Sequence, residues 1–324
     1  MLLRATVAGL WVVLVLAGFG AAVLPWTPLP FPAWAPSAGA ATVTTLFAFG
    51  LAARAGGRAV LAGALALALA AAAVVSAAPV LLCGAAVSTA VLGTVLGVMA
   101  TKPAAGFVGV VREVLVAVSV AVVASFAVEA YGAPLSPARA GYLALGLSLL
   151  GAVGLVYRLG AGLHGLGRRG ALAVVGGIVL LFVSLAYTQA IAAYGPPGLV
   201  HVLETSTARL HAAIGAVPRP TEVLLGVPAL AWGISTRARR RQGWWVCAFG
   251  AAGLAVVAMT LLNPLLPLDE AGLTLLYSTM LGLLLGYLVI RADLFLTGAR
   301  GRRARLAEEA SAHRPEPGRM QPLA

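Results

Sequence analysis

Charge is scarce in this chain of 324 residues: only 10% of them are charged, against about 25% in soluble domains, which need that charge to cover their surface. An ordinary soluble fold is excluded. Lysine occurs once, at Lys102, and Asp and Glu together number 10, so most lysine chemistry is excluded and a relay of buried carboxylates has little to draw on. The only cysteines are Cys83 and Cys247. The span arrangement set out below places them near opposite faces, too far apart for a bond that needs Cα atoms within about 7 Å. A disulfide framework and a cysteine metal site are therefore not expected. Also missing are a Gly-rich phosphate loop ending in Lys and Ser or Thr, a His-Glu-x-x-His pair and a Gly-x-Ser-x-Gly elbow. No cofactor is expected, and an enzyme is the least favoured class.

What the chain has in abundance is apolar surface, at 61% hydrophobic residues. Runs of about 20 apolar residues, enough to cross a roughly 30 Å hydrocarbon core, recur from end to end. The first covers about Ala5–Leu24 and is followed by a Pro-rich loop from Pro25 to Pro36. The second covers about Ala38–Ala53. The stretch Ala59–Thr101 is too long for one crossing at about 1.5 Å per residue, and Pro79 is its natural break. Further spans are expected at about Phe107–Ala130, Ala140–Tyr157, Ala171–Ala193, Thr221–Thr236, Trp244–Leu262 and Ala271–Ile290. The fold class expected is an all-α, polytopic integral membrane helix bundle over residues 1–298, of about ten transmembrane helices with both termini inside. Arg4 followed by an apolar run and small residues at Gly20–Ala22 also resembles a signal peptide. The run is longer than a usual signal core, so an uncleaved first span is expected.

The formal net charge is +12, but the basic residues sit in short clusters between apolar runs and form no continuous basic face, so nucleic acid is not an expected partner. They read as orientation signals. In the arrangement above every basic residue falls on the inner side except Arg139, Arg209 and Arg219, as the positive-inside rule requires. Arg58 and Lys102 both fall inside because two crossings separate them. The lipid bilayer is the surrounding partner, with anionic lipid near the basic inner loops and the tail, and the cytoplasmic membrane is the expected location.

Few residues suggest a site. Arg112 and Glu113 lie in the first two turns of the fifth span, where an interfacial anchor is the plainer reading. Residues 199–215 form an outer, extracytoplasmic amphipathic segment with Leu203, Leu210 and Ile214 at helical spacing and His201, Glu204 and His211 on another face. Those three polar residues have loose metal-ligand spacing, and a solvated face or a docking surface fits them better than a metal site. Glu129, Thr188, Gln189, Asn263, Asp269, Glu270, Tyr277 and Ser278 collect toward the same side and would line an outer vestibule, with Gln189 and Tyr277 deep enough to want partners. Gly93 with Gly97, and Gly282 with Gly286, suggest close helix packing. Residues 299–324 read as a basic, then disordered, cytoplasmic tail, with disorder expected beyond Ser311.

Two functions remain. One is a small transporter or exporter of an apolar or amphipathic substrate, and the number of spans resembles the drug and metabolite exporters, built of two five-span halves. The other is a membrane scaffold, or a subunit of a cell-envelope complex, docking an envelope protein partner through its outer loops.

Overall fold

The computed structural model describes residues 2–161, 172, 175–179, 181, 183, 194–239, 243–297 and 316–323, all outside any strand. In chain order the helices are α1 (Leu2–Val23), α2 (Ala35–Arg54), α3 (Ala59–Ser76), α4 (Pro79–Ala100), α5 (Phe107–Ala130) and α6 (Pro137–Val156), which runs into a π-turn at Tyr157–Ala161. Then come α7 (Pro197–Ile214), a π-turn at Thr221–Gly226 leading directly into α8 (Val227–Arg237), α9 (Gly243–Ala258) and α10 (Leu268–Thr297). Proline stands in the first turn of α2, α4, α6, α7 and α8, where its missing N–H would have had no helical acceptor anyway. The long stretch divides at Pro79 as expected: Ala77 takes a left-handed conformation (φ 50°) and its N–H donates to Ala73 O, which ends α3 before α4 begins.

Eight of the described helices are long and apolar enough to cross a membrane. The expected seventh span lies largely outside the described residues. The expected eighth is occupied by the π-turn and α8, which are not among the eight. The described residues thus form an all-helical fold with eight membrane-capable helices.

The bundle has two packed halves that share α5. Near its C-terminal end, Ala124, Ala127 and Val128 pack with Val43 and Phe47 of α2 and Ala90 of α4; near its N-terminal end, Val114 and Ala117 pack with Leu230 of α8 and Ala251 and Leu254 of α9. Small residues let the axes approach. A Cβ at Gly93 would stand 2.6 Å from Ala124 Cβ, and one at Gly282 would stand 2.6 Å from Val227 Cβ. Both Gly-x-x-x-Gly pairs thus lie at helix crossings, as their spacing predicts. Outward, α3 presents Leu69 and Val75 to the surroundings, as lipid-facing helices do. α1 joins the bundle along α2, where Trp11 Nε1 donates to Leu46 O at 2.8 Å.

Arg54 Nε donates to Met99 O at 2.9 Å, so α3 and α4 leave one end of the bundle and return to it. That end, called the basic end below, also carries Lys102, the start of α5 and Arg237 at the end of α8. Cys83, whose thiol faces Pro134 O, and Cys247, beside Arg237, are free and lie at opposite ends. Residues 316–323 fold back onto the basic end. The physical reason is that Glu316 and Arg319 meet buried opposite charges there.

Candidate functional site

Three features of the bundle carry chemistry. The first is a groove of about 550 Å³ between α2, α3, α4 and α6. Leu69, Leu81, Gly84 and Leu92 give it apolar walls, and Thr44 and Ser88 supply hydroxyls. Its size falls in the range of small-molecule pockets, roughly 300–1,000 Å³. Thr44 stands at the middle of α2, so the groove reaches halfway along the bundle. Behind it lies a buried hydroxyl relay: Tyr131 OH is 2.7 Å from Thr44 Oγ1, which is 2.5 Å from Thr89 Oγ1, and Thr89 Oγ1 donates to Ala85 O at 2.7 Å. Thr44 Oγ1 also lies 2.8 Å from Ala40 O, so its one proton is shared between that carbonyl and Thr89. A satisfied relay of this kind rigidifies the packing around the groove.

The second feature is an ionic cluster at the basic end. Glu113 is fully buried. It accepts from Lys102 N at 2.8 Å, from Arg319 at 2.6 and 2.9 Å, and from Arg112 at 2.9 Å. Arg112 itself is 70% exposed, as an interfacial anchor should be, but Glu113 is a hub that ties α5 to the tail. Arg237, which by sequence reads as an orientation signal, is buried: it donates to Thr101 Oγ1 at 2.7 Å and Thr101 O at 2.8 Å, stacks 3.5 Å from the Trp244 ring, and pairs with Glu316 at 2.7 Å.

The third feature is at the far end. Glu222, on the π-turn before α8, is buried and accepts from Arg219 at 3.3 Å; Arg219 also donates to Thr260 Oγ1 at 2.5 Å, and its N–H donates to Ser278 Oγ at 2.9 Å. Glu222 Oε2 has no hydrogen-bond partner among the described residues. π-turns often accompany functional positions in helices.

Of the residues picked from sequence, α7 brings few together. His201 and Glu204 are exposed. His211 Nε2 lies 3.3 Å from Glu270 Oε1, and Tyr277 OH donates to Ile214 O at 3.2 Å, so these two pin the end of α7 to the start of α10. Leu210 and Ile214 stay about two-fifths exposed. Glu129 is half-buried near the end of α5. Gln189 and Thr188 lie outside the described residues. Among the described residues no three of His, Cys, Asp and Glu are placed to hold a metal ion. Sequence reasoning missed Arg54, Arg237, Glu316, Arg319 and Glu222. The signal available for Glu222 was the scarcity of acids, since each of only 10 is notable when it abuts an apolar run.

These features define a polytopic, all-helical membrane protein. No protein-family model matches the chain, no curated protein is significantly similar to it, and no solved structure is significantly similar to it.

Proposed function

We propose that the protein is a small transporter of an apolar or amphipathic substrate, built of about ten spans with both termini in the cytoplasm and lying in the cytoplasmic membrane. The observation that carries this reading is the apolar groove between α2, α3, α4 and α6 that reaches mid-bundle. A scaffold has no need of such a groove, whereas an apolar solute entering from lipid needs walls of this composition and a few hydroxyls to orient it. The orientation rests on the uneven distribution of basic residues, and anionic lipid beside the basic end follows from the same charges.

The test is direct. A Cβ at Gly84 meets nothing within 4 Å, so Gly84→Trp can project an indole into the groove without disturbing the helix packing. Purified wild-type protein should bind a lipophilic fluorescent amine saturably, and Gly84→Trp should weaken that binding by roughly tenfold or more, equivalent to about 1.4 kcal/mol, at unchanged yield. Equal binding by both proteins would remove the groove from consideration.

A second reading, docking of an envelope protein through the outer loops, is favoured by α7, whose exposed His201, Glu204 and Val202 leave a helix face without a partner among the described residues. Replacing His201, Glu204 and His211 together with Ala separates the two. Transport should survive the triple substitution, and docking should not.

A further inference from the structure

Among the described ion pairs of the basic end, the guanidiniums outnumber the carboxylates they meet. Four guanidinium groups, of Arg54, Arg112, Arg237 and Arg319, meet the two carboxylates of Glu113 and Glu316, and of the four Arg112 is largely exposed to solvent. Arg319 and Glu113 satisfy each other through two hydrogen bonds. The excess therefore falls on Arg54 and Arg237, and both are almost wholly buried. Glu316 offers them a single oxygen: Oε2 is 2.7 Å from Arg237 Nη2 and 3.5 Å from Arg54 Nη2. Arg54 Nη2 and Arg237 Nε are left with no hydrogen-bond acceptor among the described residues. An uncompensated buried charge and unused buried donors are both costly, and a carboxylate borne by the tail removes only part of that cost.

The tail is also held like a ligand. Residues 316–323 are irregular, and Arg54 Nη1 gathers the Pro317, Gly318 and Gln321 carbonyls at 3.1, 2.8 and 3.3 Å. Leu323 N donates to Arg54 O at 3.1 Å, and Arg319 also donates to Ala100 O at 2.6 Å. Every partner of the tail's two charged groups comes from the ends of α2, α4, α5 and α8 or the residues just beyond them. These positions do not depend on the tail for their place in the bundle, since Arg54 also binds Met99 O and Arg237 also binds Thr101.

We infer that Arg54 and Arg237 form a phosphate-binding site at the basic end, which Glu316 occupies as a tethered competitor, with the Arg319–Glu113 pair as the latch that holds the tail in place. A phosphate monoester carries about −1.5 to −2 charge and three acceptor oxygens, which would neutralise the excess and reach the donors that Glu316 leaves unused. Paired guanidiniums suit it because each presents a planar fork of donors. The phosphate belongs either to a soluble solute or to a lipid headgroup. The site is separate from the groove and does not depend on transport.

Trypsin reads the tail directly, because the bond after Arg319 is cleavable only when that side chain leaves Glu113. In full-length protein in phosphate-free nanodiscs of phosphatidylcholine, release of the peptide Met320–Ala324, followed by mass spectrometry, should be slow. Millimolar inorganic phosphate, or nanodiscs containing phosphatidic acid, should speed it roughly fivefold or more; response to the first alone assigns a soluble source and to the second alone a lipid source. Sodium chloride at matched ionic strength should not. Glu316→Gln should release the peptide quickly without phosphate and bind inorganic phosphate more tightly than wild type, and adding Arg54→Gln to it should abolish that binding. Fast release from wild-type protein without phosphate, equal acceleration by chloride, or no acceleration by either phosphate source would each overturn the proposal. Aggregation of Glu316→Gln would overturn it too, by making the tail a structural strap.

Discussion

Gly253→Leu should yield almost no monodisperse protein. At this point α9 crosses the π-turn before α8 backbone against backbone: a Cβ at Gly253 would stand 2.8 Å from Gly226 Cα, and one at Gly226 would stand 2.5 Å from Gly253 Cα. No flexible side chain can swing aside, so the helices themselves must separate. Overpacking a well-filled core costs about 1–3 kcal/mol when side chains can adjust, and here the cost lies at or above the top of that range. Separation would also pull Arg219 away from Thr260, just beyond α9, and Leu230 away from α9. The control is Gly20→Leu on α1, where a Cβ meets nothing within 4 Å and yield should be unchanged. Size-exclusion profiles in mild detergent decide the matter. Wild-type yield from Gly253→Leu would mean that the two backbones do not touch.

Arg237→Ala should lower stability by about 3 kcal/mol. That is the low end of the penalty for removing one member of a buried pair, because Glu316, on the tail, can move out into solvent when its partner is lost. What remains is the loss of two hydrogen bonds to Thr101 and of the stacking on Trp244. Arg112→Ala, at an exposed arginine, should change stability by less than about 1 kcal/mol. Thermal unfolding in detergent compares the two. Similar melting temperatures for both variants would show that Arg237 acts through charge alone.

The burial of Arg237 was not legible in the sequence, where it stands at the end of an apolar run and reads as an orientation signal, while Arg112 reads as an interfacial anchor in the first turns of a span. Burial depends on neighbours from other helices, and Thr101 and Glu316, the partners of Arg237, are far from it along the chain. Glu316 and Arg319 were hidden in the same way, since a Pro-rich polar stretch without periodicity looks disordered unless the receiving charges are known. The apolar spans were legible because bilayer thickness sets their length, and the break at Pro79 because proline removes a helical donor and clashes with the preceding turn. Glu113 stood out because a short acid inside a span cannot reach water. The groove left no trace, since helices apolar all round carry no moment to show which face is empty. The surface helix α7 was legible from Leu203, Leu210 and Ile214, because there polar residues mark the other face.

Transport through the groove is tested most directly in proteoliposomes loaded with a lipophilic fluorescent amine. Wild-type protein should release it at a saturable rate above that of empty liposomes, and Gly84→Trp should slow that release to near the empty-liposome rate. Release no faster than from empty liposomes, or equal release by wild type and Gly84→Trp, would contradict transport through the groove between α2, α3, α4 and α6.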